Sequence, residues 1–134
     1  MQISAMVINS PARHEVTVRT GASAQSLSVA AKAGGGSTVN GGEFLMLALA
    51  TCYCNDLYRE AGQLGIAIDG VEVEATAQFP GIGLAATDIR YRAVVSSTAS
   101  AAAVADLLRR TDAVAEVHNT VRSGVRVELI VDRA

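Results

Sequence analysis

Hydrophobic and polar residues alternate along several stretches of the chain, and this alternation predicts β-strands. At the N-terminus, Ile3, Ala5 and Val7 share one face, and Asn9-Ser10-Pro11 supplies a turn into a second alternating stretch. Two further stretches predict a second hairpin around a proline- and glycine-containing turn. The predicted strands cover residues 3–7, 14–19, 27–30, 69–78, 88–96 and 125–131.

The longest apolar stretch predicts a buried helix from about Glu43 to Leu64. Residues 44–50 are apolar on every face, and a helix that is hydrophobic all round is buried on every side. Because a small domain cannot easily enclose such a helix, we expect a second subunit to cover part of it. The second half is amphipathic. Five of its polar residues are expected at the surface: Asn55, Asp56, Arg59, Glu60 and Gln63.

Two shorter helices complete the predicted order of elements. One spans residues 100–110 and begins at a serine or threonine cap at Ser97, Thr98 or Ser100, and Asp112 caps another that runs to about Val121. The order of strands and helices indicates an α+β class with largely antiparallel sheets. The length of 134 residues indicates one domain over 1–134.

Charge and the chain termini exclude several classes of partner. Eleven basic and thirteen acidic residues give a net charge of −2, and no basic tract stands out, so nucleic acid is not expected as a partner. The apolar run of 44–51 is too short to span a bilayer, and residues 1–10 do not resemble a secretory signal. A cytoplasmic location without membrane contact is therefore expected.

The two cysteines are expected to be free thiols. Cys52 and Cys54 point about 200° apart on a helix, which suits no disulfide. Two cysteines with two distant histidines also make a poor zinc site, so neither a metal nor a cofactor is predicted. The commoner interpretation of Cys52 is a buried core residue. A reactive Cys52 requires a lowered pKa, and therefore a cation or donor from elsewhere, such as Arg13 or Arg19.

Four other features are candidates for chemistry. Glu43 opens the helix, where an acid is favoured by the helix dipole, and it lies nine residues before Cys52, on the opposite face. If both serve one site, either one comes from the other subunit or Glu43 precedes the regular helix. Cys54 is a weaker candidate than Cys52. His118 could carry a proton, but a surface or capping role is favoured. The glycines at 34–36 lack the pattern of a nucleotide loop.

The segment from Gly41 to Cys52 resembles the signature of the OsmC/Ohr family. It has two glycines, then the acid Glu43, then a run rich in leucine and alanine, and then Cys52. The order of predicted elements is also similar to that family over nearly the whole chain. The resemblance implies an OsmC-like fold, with antiparallel sheets packed on a long central helix, and an intertwined homodimer with active sites at the subunit interface. It implies that Cys52 attacks peroxide, that Glu43 is the partner acid, and that Arg13, or else Arg19, is the activating arginine.

The sequence departs from the family late in the chain. Ala115 stands where the resolving cysteine is expected and Glu116 where its proline is expected. The resemblance therefore implies a stress-response protein that acts as a one-cysteine thiol peroxidase on organic hydroperoxides, with an external thiol as resolving partner. The alternative is a non-catalytic protein that binds a small apolar ligand in the cleft of the dimer interface. A structural dimer without a small-molecule role ranks third.

Overall fold

The computed structural model describes residues 1–132 and confirms an α+β fold with antiparallel sheets. One sheet has three strands in the order β1-β2-β3, and the other pairs β4 with β5. The elements are β1 (Ile3–Ser10), β2 (Arg13–Thr20), β3 (Ser23–Leu27), α1 (Gly41–Leu64), β4 (Gly70–Gln78), β5 (Thr87–Ser96), α2 (Ala101–Val114) and α3 (Glu116–Ser123).

The chain divides into two compact units, one of residues 1–44 and one that begins at Leu45. In the first unit, the side chain of Asn9 holds the glycine loop. Its Nδ2 donates to the Gly36 carbonyl over 3.0 Å, and its Oδ1 accepts from the Gly36 N–H over 2.8 Å. Gly35 has a φ of +117°, a conformation that side chains rarely adopt. This loop therefore has a structural role within its unit.

Helix α1 begins with a reciprocal cap. The Asn40 side chain accepts the Glu43 backbone N–H over 2.8 Å, and the Glu43 carboxylate accepts the Asn40 N–H over 3.1 Å. This capping box satisfies two backbone donors that a helix start would otherwise leave free. The acid that the sequence places in the first turn is therefore part of the reason why the helix starts here.

The core of the second unit lies between α1, α2, the start of α3 and the inner face of the β4-β5 hairpin. Its buried members are Tyr53, Leu57, Ala61, Leu107 and Ala115. The alternation predicted for β4 is confirmed, since Val71 and Val73 pack against this cluster and the glutamates of the strand face outward. Ser100 caps α2 by accepting the Ala103 N–H over 3.1 Å, which agrees with one of the predicted caps.

Some predicted boundaries were wrong. The third strand occupies Ser23–Leu27 rather than 27–30. Asp112 does not cap α3, because it lies inside α2 and its carboxylate accepts hydrogen bonds from Tyr91 and Arg122. The segment 125–131 pairs with no strand among residues 1–132, and a strand requires a partner for its backbone groups. Its apolar side chains at Val127 and Leu129 are exposed.

One burial prediction for α1 was wrong, and one stays a prediction. Leu47, in the half predicted to be covered partly by a second subunit, is 56 % exposed in the single chain. Asp56, predicted to be at the surface, is only 4 % exposed because its carboxylate faces other side chains of the second unit.

Replacement of Leu57 by alanine should cost about 2–5 kcal/mol of unfolding free energy, because Leu57 is fully buried in the core and a cavity would remain. Leu64→Ala is the matched control on the same helix. Leu64 is 38 % exposed, and its truncation should cost less than about 1 kcal/mol. Urea unfolding followed by the helical circular dichroism signal measures both. Equal costs for the two variants would contradict the described core.

Candidate functional site

Cys52 lies on α1 with its sulfur at the beginning of α3. The Val117 backbone N–H donates to Sγ. Ala115 is the N-cap residue of α3 and has no side-chain acceptor for the first N–H groups of the helix. The Cys52 sulfur accepts one of them instead. The N-terminus of a helix favours negative charge, and a thiolate at Cys52 would be stabilised there.

Three charged residues lie around this sulfur, and together with Cys52 they form what we call the Cys52 cluster: Cys52, Asp56, Arg59 and Glu116. The Cys52 Sγ donates to the Asp56 Oδ2 over 3.6 Å, and the Glu116 Oε2 lies 4.0 Å from Sγ. The Arg59 Nη1 donates to the other Asp56 oxygen, Oδ1, over 2.9 Å and lies 3.9 Å from Glu116 Oε1. The cluster therefore consists of a thiol, two carboxylates and one guanidinium.

The pKa of the Cys52 thiol is raised above its ordinary value, chiefly because burial disfavours the charged form. The Val117 N–H lowers this pKa, but it does not cancel burial together with the carboxylates of Asp56 and Glu116, which also raise it. The expectation of a lowered pKa was therefore wrong. A cation is present, but Arg59 donates to carboxylates rather than to the sulfur. The resting thiol is protonated at neutral pH.

The Cys52 cluster could also supply metal ligands. The Cys52 sulfur and one carboxylate oxygen each of Asp56 and Glu116 all lie within 4.8 Å of one another. A thiolate and two carboxylates would suit a divalent cation. However, the guanidinium of Arg59 already neutralises Asp56 and lies beside Glu116, so an ion would have to displace it. The arrangement thus fits a thiol held beside a base better than it fits a metal centre.

A second polar arrangement lies beside the cluster, around His118. The histidine is 3 % exposed and contacts the rings of Tyr53 and Tyr91, with centroids at 5.8 and 4.4 Å. Neither of its ring nitrogens has a hydrogen-bond partner among the described residues. The Tyr91 hydroxyl donates to Asp112, which Arg122 also binds over 2.6 Å. The favoured surface role of His118 was wrong, because α3 turns this face onto aromatic side chains.

Comparisons with known proteins decide the family. The family model described as OsmC-like protein matches residues 34–130. The chain belongs to the OsmC-like family. A search of curated proteins found no match. Among residues 1–132 of this OsmC-like protein, no helix has the length and apolarity needed to cross a membrane.

Solved structures of similar fold agree with this assignment. An OsmC-like protein from Mycoplasma pneumoniae is 15 % identical, with a TM-score of 0.59 over 89 % of this chain and 87 % of its own. An OsmC-like protein of unknown function from Vibrio cholerae is 13 % identical, with a TM-score of 0.57 over 90 % and 93 %. An OsmC-like hydroperoxide resistance protein from Jannaschia is 11 % identical, with a TM-score of 0.53 over 96 % and 87 %.

The residues predicted from the family resemblance fall into different parts of this OsmC-like protein. Cys52 lies in the second unit, whereas Arg13, Arg19 and Glu43 lie in the first. Arg13 is exposed and forms an ion pair with Glu15 over 2.6 Å. Cys52 and Cys54 are free thiols, as predicted. The roles of Arg13, Arg19 and Glu43 at Cys52 stay predictions.

Sequence reasoning missed Asp56 and Arg59 as neighbours of Cys52. The signal was present in the spacing, because residues four apart on a helix share a face and residues three apart are also neighbours. Cys52 and Asp56 are four apart, and Asp56 and Arg59 are three apart. Glu116 was noted only as a departure from the family pattern, and its distance to the sulfur depends on how α3 packs.

Acid should destabilise the protein through His118. Burial and Arg122 lower the pKa of His118 in the folded state, so the unfolded chain binds the proton more tightly. The free energy of unfolding should therefore fall as the pH drops below about 6.5, the ordinary histidine value. Urea unfolding at several pH values measures this slope for the parent protein and for His118→Leu, which should lose part of it.

His14→Leu is the control for this measurement. His14 binds the Asn9 side chain over 2.9 Å in the first unit, so this variant reports any general effect of removing a histidine. An unchanged acid slope in His118→Leu would contradict the assignment of that slope to His118.

Proposed function

We propose that this OsmC-like protein is a thiol-dependent peroxidase that reduces organic hydroperoxides, with Cys52 as the attacking thiol. The observation that carries the proposal is the placement of the half-buried sulfur between the Val117 N–H and the Asp56 carboxylate. The family resemblance gives Cys52 the same role. The Jannaschia relative, whose name refers to hydroperoxide resistance, has the same fold.

In the proposed reaction, the sulfur attacks the terminal oxygen of the hydroperoxide and the O–O bond breaks. The bond's electron pair leaves with the alkoxide, which takes up the thiol proton and departs as an alcohol. Cys52 becomes a sulfenic acid, so the thiol is oxidised while the peroxide is reduced. The Val117 N–H stabilises the negative charge that the sulfur carries during attack.

An external thiol would resolve this sulfenic acid. Ala115, at the position of the expected resolving cysteine, is fully buried in the core and has no thiol. The external thiol condenses with the sulfenic acid, forms a mixed disulfide and releases water, and a second thiol then displaces Cys52 in its reduced form. A cytoplasmic location, where low-molecular-weight and protein thiols are kept reduced, suits this cycle.

We further propose that two copies of the chain associate, and that Arg13 and Glu43 assist Cys52 in that assembly. The support is apolar surface without cover among residues 1–132. Leu47 on α1 is exposed, and the segment 125–131 presents unpaired backbone with exposed Val127, Leu129 and Ile130. An alternating apolar segment of this kind is suited to pairing with another chain.

A ligand-binding role is the second candidate. An open pocket of about 430 Å³ lies beside the core of the second unit, and its walls combine two tyrosines, two apolar residues and three charged residues. It is lined by Tyr53, Tyr91, Arg92, Ala93, Leu108, Arg109 and Asp112. Its size falls within the range of small-molecule sites, and its tyrosines and two arginines would suit a small aromatic compound that carries an acidic group. This candidate gains support if Cys52 proves inert toward peroxide.

Cumene hydroperoxide should convert Cys52 to a sulfenic acid in stoichiometric amounts. A sulfenic-acid trap followed by mass spectrometry should locate the adduct on Cys52. Cys52→Ser should lose the adduct entirely, whereas Cys54→Ser is the matched control and should retain it, since Cys54 points away from the Cys52 cluster on the same helix. Absence of an adduct in the parent protein would contradict the peroxidase proposal.

The protein in solution should have twice the mass of one chain by light scattering. Leu129→Glu should raise the dissociation constant at least about tenfold, because it would bury an unpaired carboxylate in the proposed interface. Ile82→Glu makes the same change at an exposed loop residue and should leave the mass unchanged. A monomeric parent protein, or equal weakening by both variants, would refute the proposed interface.

A further inference from the structure

A protonated thiol raises the question of which group removes its proton. Two carboxylates lie close to Sγ among the described residues, namely Asp56 at 3.6 Å and Glu116 at 4.0 Å. They differ in environment, since Asp56 is buried whereas the Glu116 side chain is 72 % exposed. A carboxylate shielded from water keeps a fixed position relative to the thiol, and the exposed one does not.

We propose that Asp56 is the catalytic base of Cys52, which accepts the thiol proton as the sulfur attacks, and that Arg59 is the residue that positions it. This inference rests on the proposed peroxidase function and adds a catalytic residue to it. Nothing in the family resemblance pointed to Asp56 or Arg59.

The hydrogen bonds of Asp56 divide its two oxygens between two tasks. Oδ1 accepts from Arg59 over 2.9 Å, and Oδ2 accepts from the Cys52 thiol over 3.6 Å. Because Arg59 fixes Oδ1, the carboxylate cannot rotate freely, and Oδ2 remains directed at the sulfur. The spacing of four residues on one helix places both groups on the same face, so no loop movement is needed to bring them together.

The proton passes from the thiol to Asp56 and then to the departing alkoxide. In the first step the thiol proton moves to Asp56 Oδ2 while sulfur forms its bond to the terminal peroxide oxygen. The O–O bond breaks, and the alkoxide leaves with the electron pair. The alkoxide takes the proton back from Asp56 and departs as the alcohol, and the ionised carboxylate is restored. The sum is one thiol and one hydroperoxide converted to one sulfenic acid and one alcohol.

The same carboxylate also opposes thiolate formation at rest, because its charge disfavours a second negative charge nearby. The two possible roles of Asp56, as a base or as a purely electrostatic neighbour, therefore predict opposite changes in reaction rate for Asp56→Asn. If Asp56 only repels the thiolate, the variant ionises more readily and reacts faster. If Asp56 takes the proton, the variant reacts more slowly wherever the thiol is protonated, since the amide cannot accept it.

The test is the single-turnover rate of sulfenic acid formation with cumene hydroperoxide, measured across the pH range in a Cys54→Ser background. Asp56→Asn should slow the reaction at least about tenfold near pH 7, because a positioned general base usually contributes about 10²–10⁴-fold and the easier ionisation of the variant's thiol offsets part of that loss. The difference should close at high pH, where the thiol ionises without help. Asp56→Glu should restore part of the rate. A rate near pH 7 equal to or above that of the parent would overturn the proposal.

Asp106→Asn is the matched control. Asp106 also binds an arginine, Arg110, over 2.8 Å, but it lies on the exposed face of α2, so its rate should equal that of the parent. Alkylation of Cys52 by iodoacetamide, followed against pH, provides a readout that needs no peroxide. Its midpoint should move to lower pH in Asp56→Asn, and an unmoved midpoint would refute the described contact between the two groups.

Arg59→Gln tests the same proposal should Asp56→Asn fail to fold. It should slow the reaction near pH 7, with the difference again closing at high pH, and Arg59→Lys should recover part of the rate. An unchanged pH profile would overturn the positioning role. If the parent protein forms no sulfenic acid, the peroxidase function and the base role both fail. If the parent reacts and the Asp56 variant reacts equally well, only the base role fails.

Discussion

The packing of Ala115 against helix α1 determines how the start of α3 meets the Cys52 sulfur. Ala115 ends α2 and begins α3, with an extended backbone at φ −71° and ψ 103° that redirects the chain between the two helices. It is fully buried with Tyr53 and Leu57 of α1. This contact presents the first N–H groups of α3 to the Cys52 sulfur and brings Glu116 beside Asp56. A small residue at this position lets the two helices approach closely, and a larger one would separate them.

The sequence predicted those elements whose pattern is local. The alternation of 69–78 gave a strand with its apolar face inward, and the apolar run from Glu43 predicted α1 to within two residues. The strand at 125–131 failed because alternation indicates a suitable strand but not the presence of a partner. The burial of Asp56 could not be read from polarity, since a carboxylate enters a core only when specific partners satisfy it. Those partners, the thiol and the guanidinium, were recognisable from helical spacing alone.

His118 is a second residue whose burial could not be predicted from the sequence. The fold places it against Tyr53 and Tyr91, with no hydrogen-bond partner for either ring nitrogen among the described residues. Nothing in the few residues around a histidine reveals such an environment, because it depends on residues far away in the chain. Burial lowers the pKa of His118, and the histidine therefore stays neutral there. Its uncharged ring therefore packs as a third aromatic ring beside Tyr53 and Tyr91.

Burial of the Asp56 carboxylate costs free energy of desolvation, and packing alone does not explain why a carboxylate occupies this position. Removing a carboxylate from water is unfavourable by several kcal/mol, and an ion pair such as that with Arg59 often only offsets this. An apolar residue of similar volume would serve the core at least as well, so the carboxylate is better explained by its chemistry with the thiol.

A protonated thiol beside a fixed base would be protected at rest, because the thiolate is the form that oxidants attack. Its reactivity would then depend on a hydroperoxide close enough to accept the sulfur's electrons while Asp56 takes the proton. If an external thiol resolves Cys52, as proposed from Ala115 at the position of the expected resolving cysteine, this restraint would also limit how often a sulfenic acid must wait for that thiol.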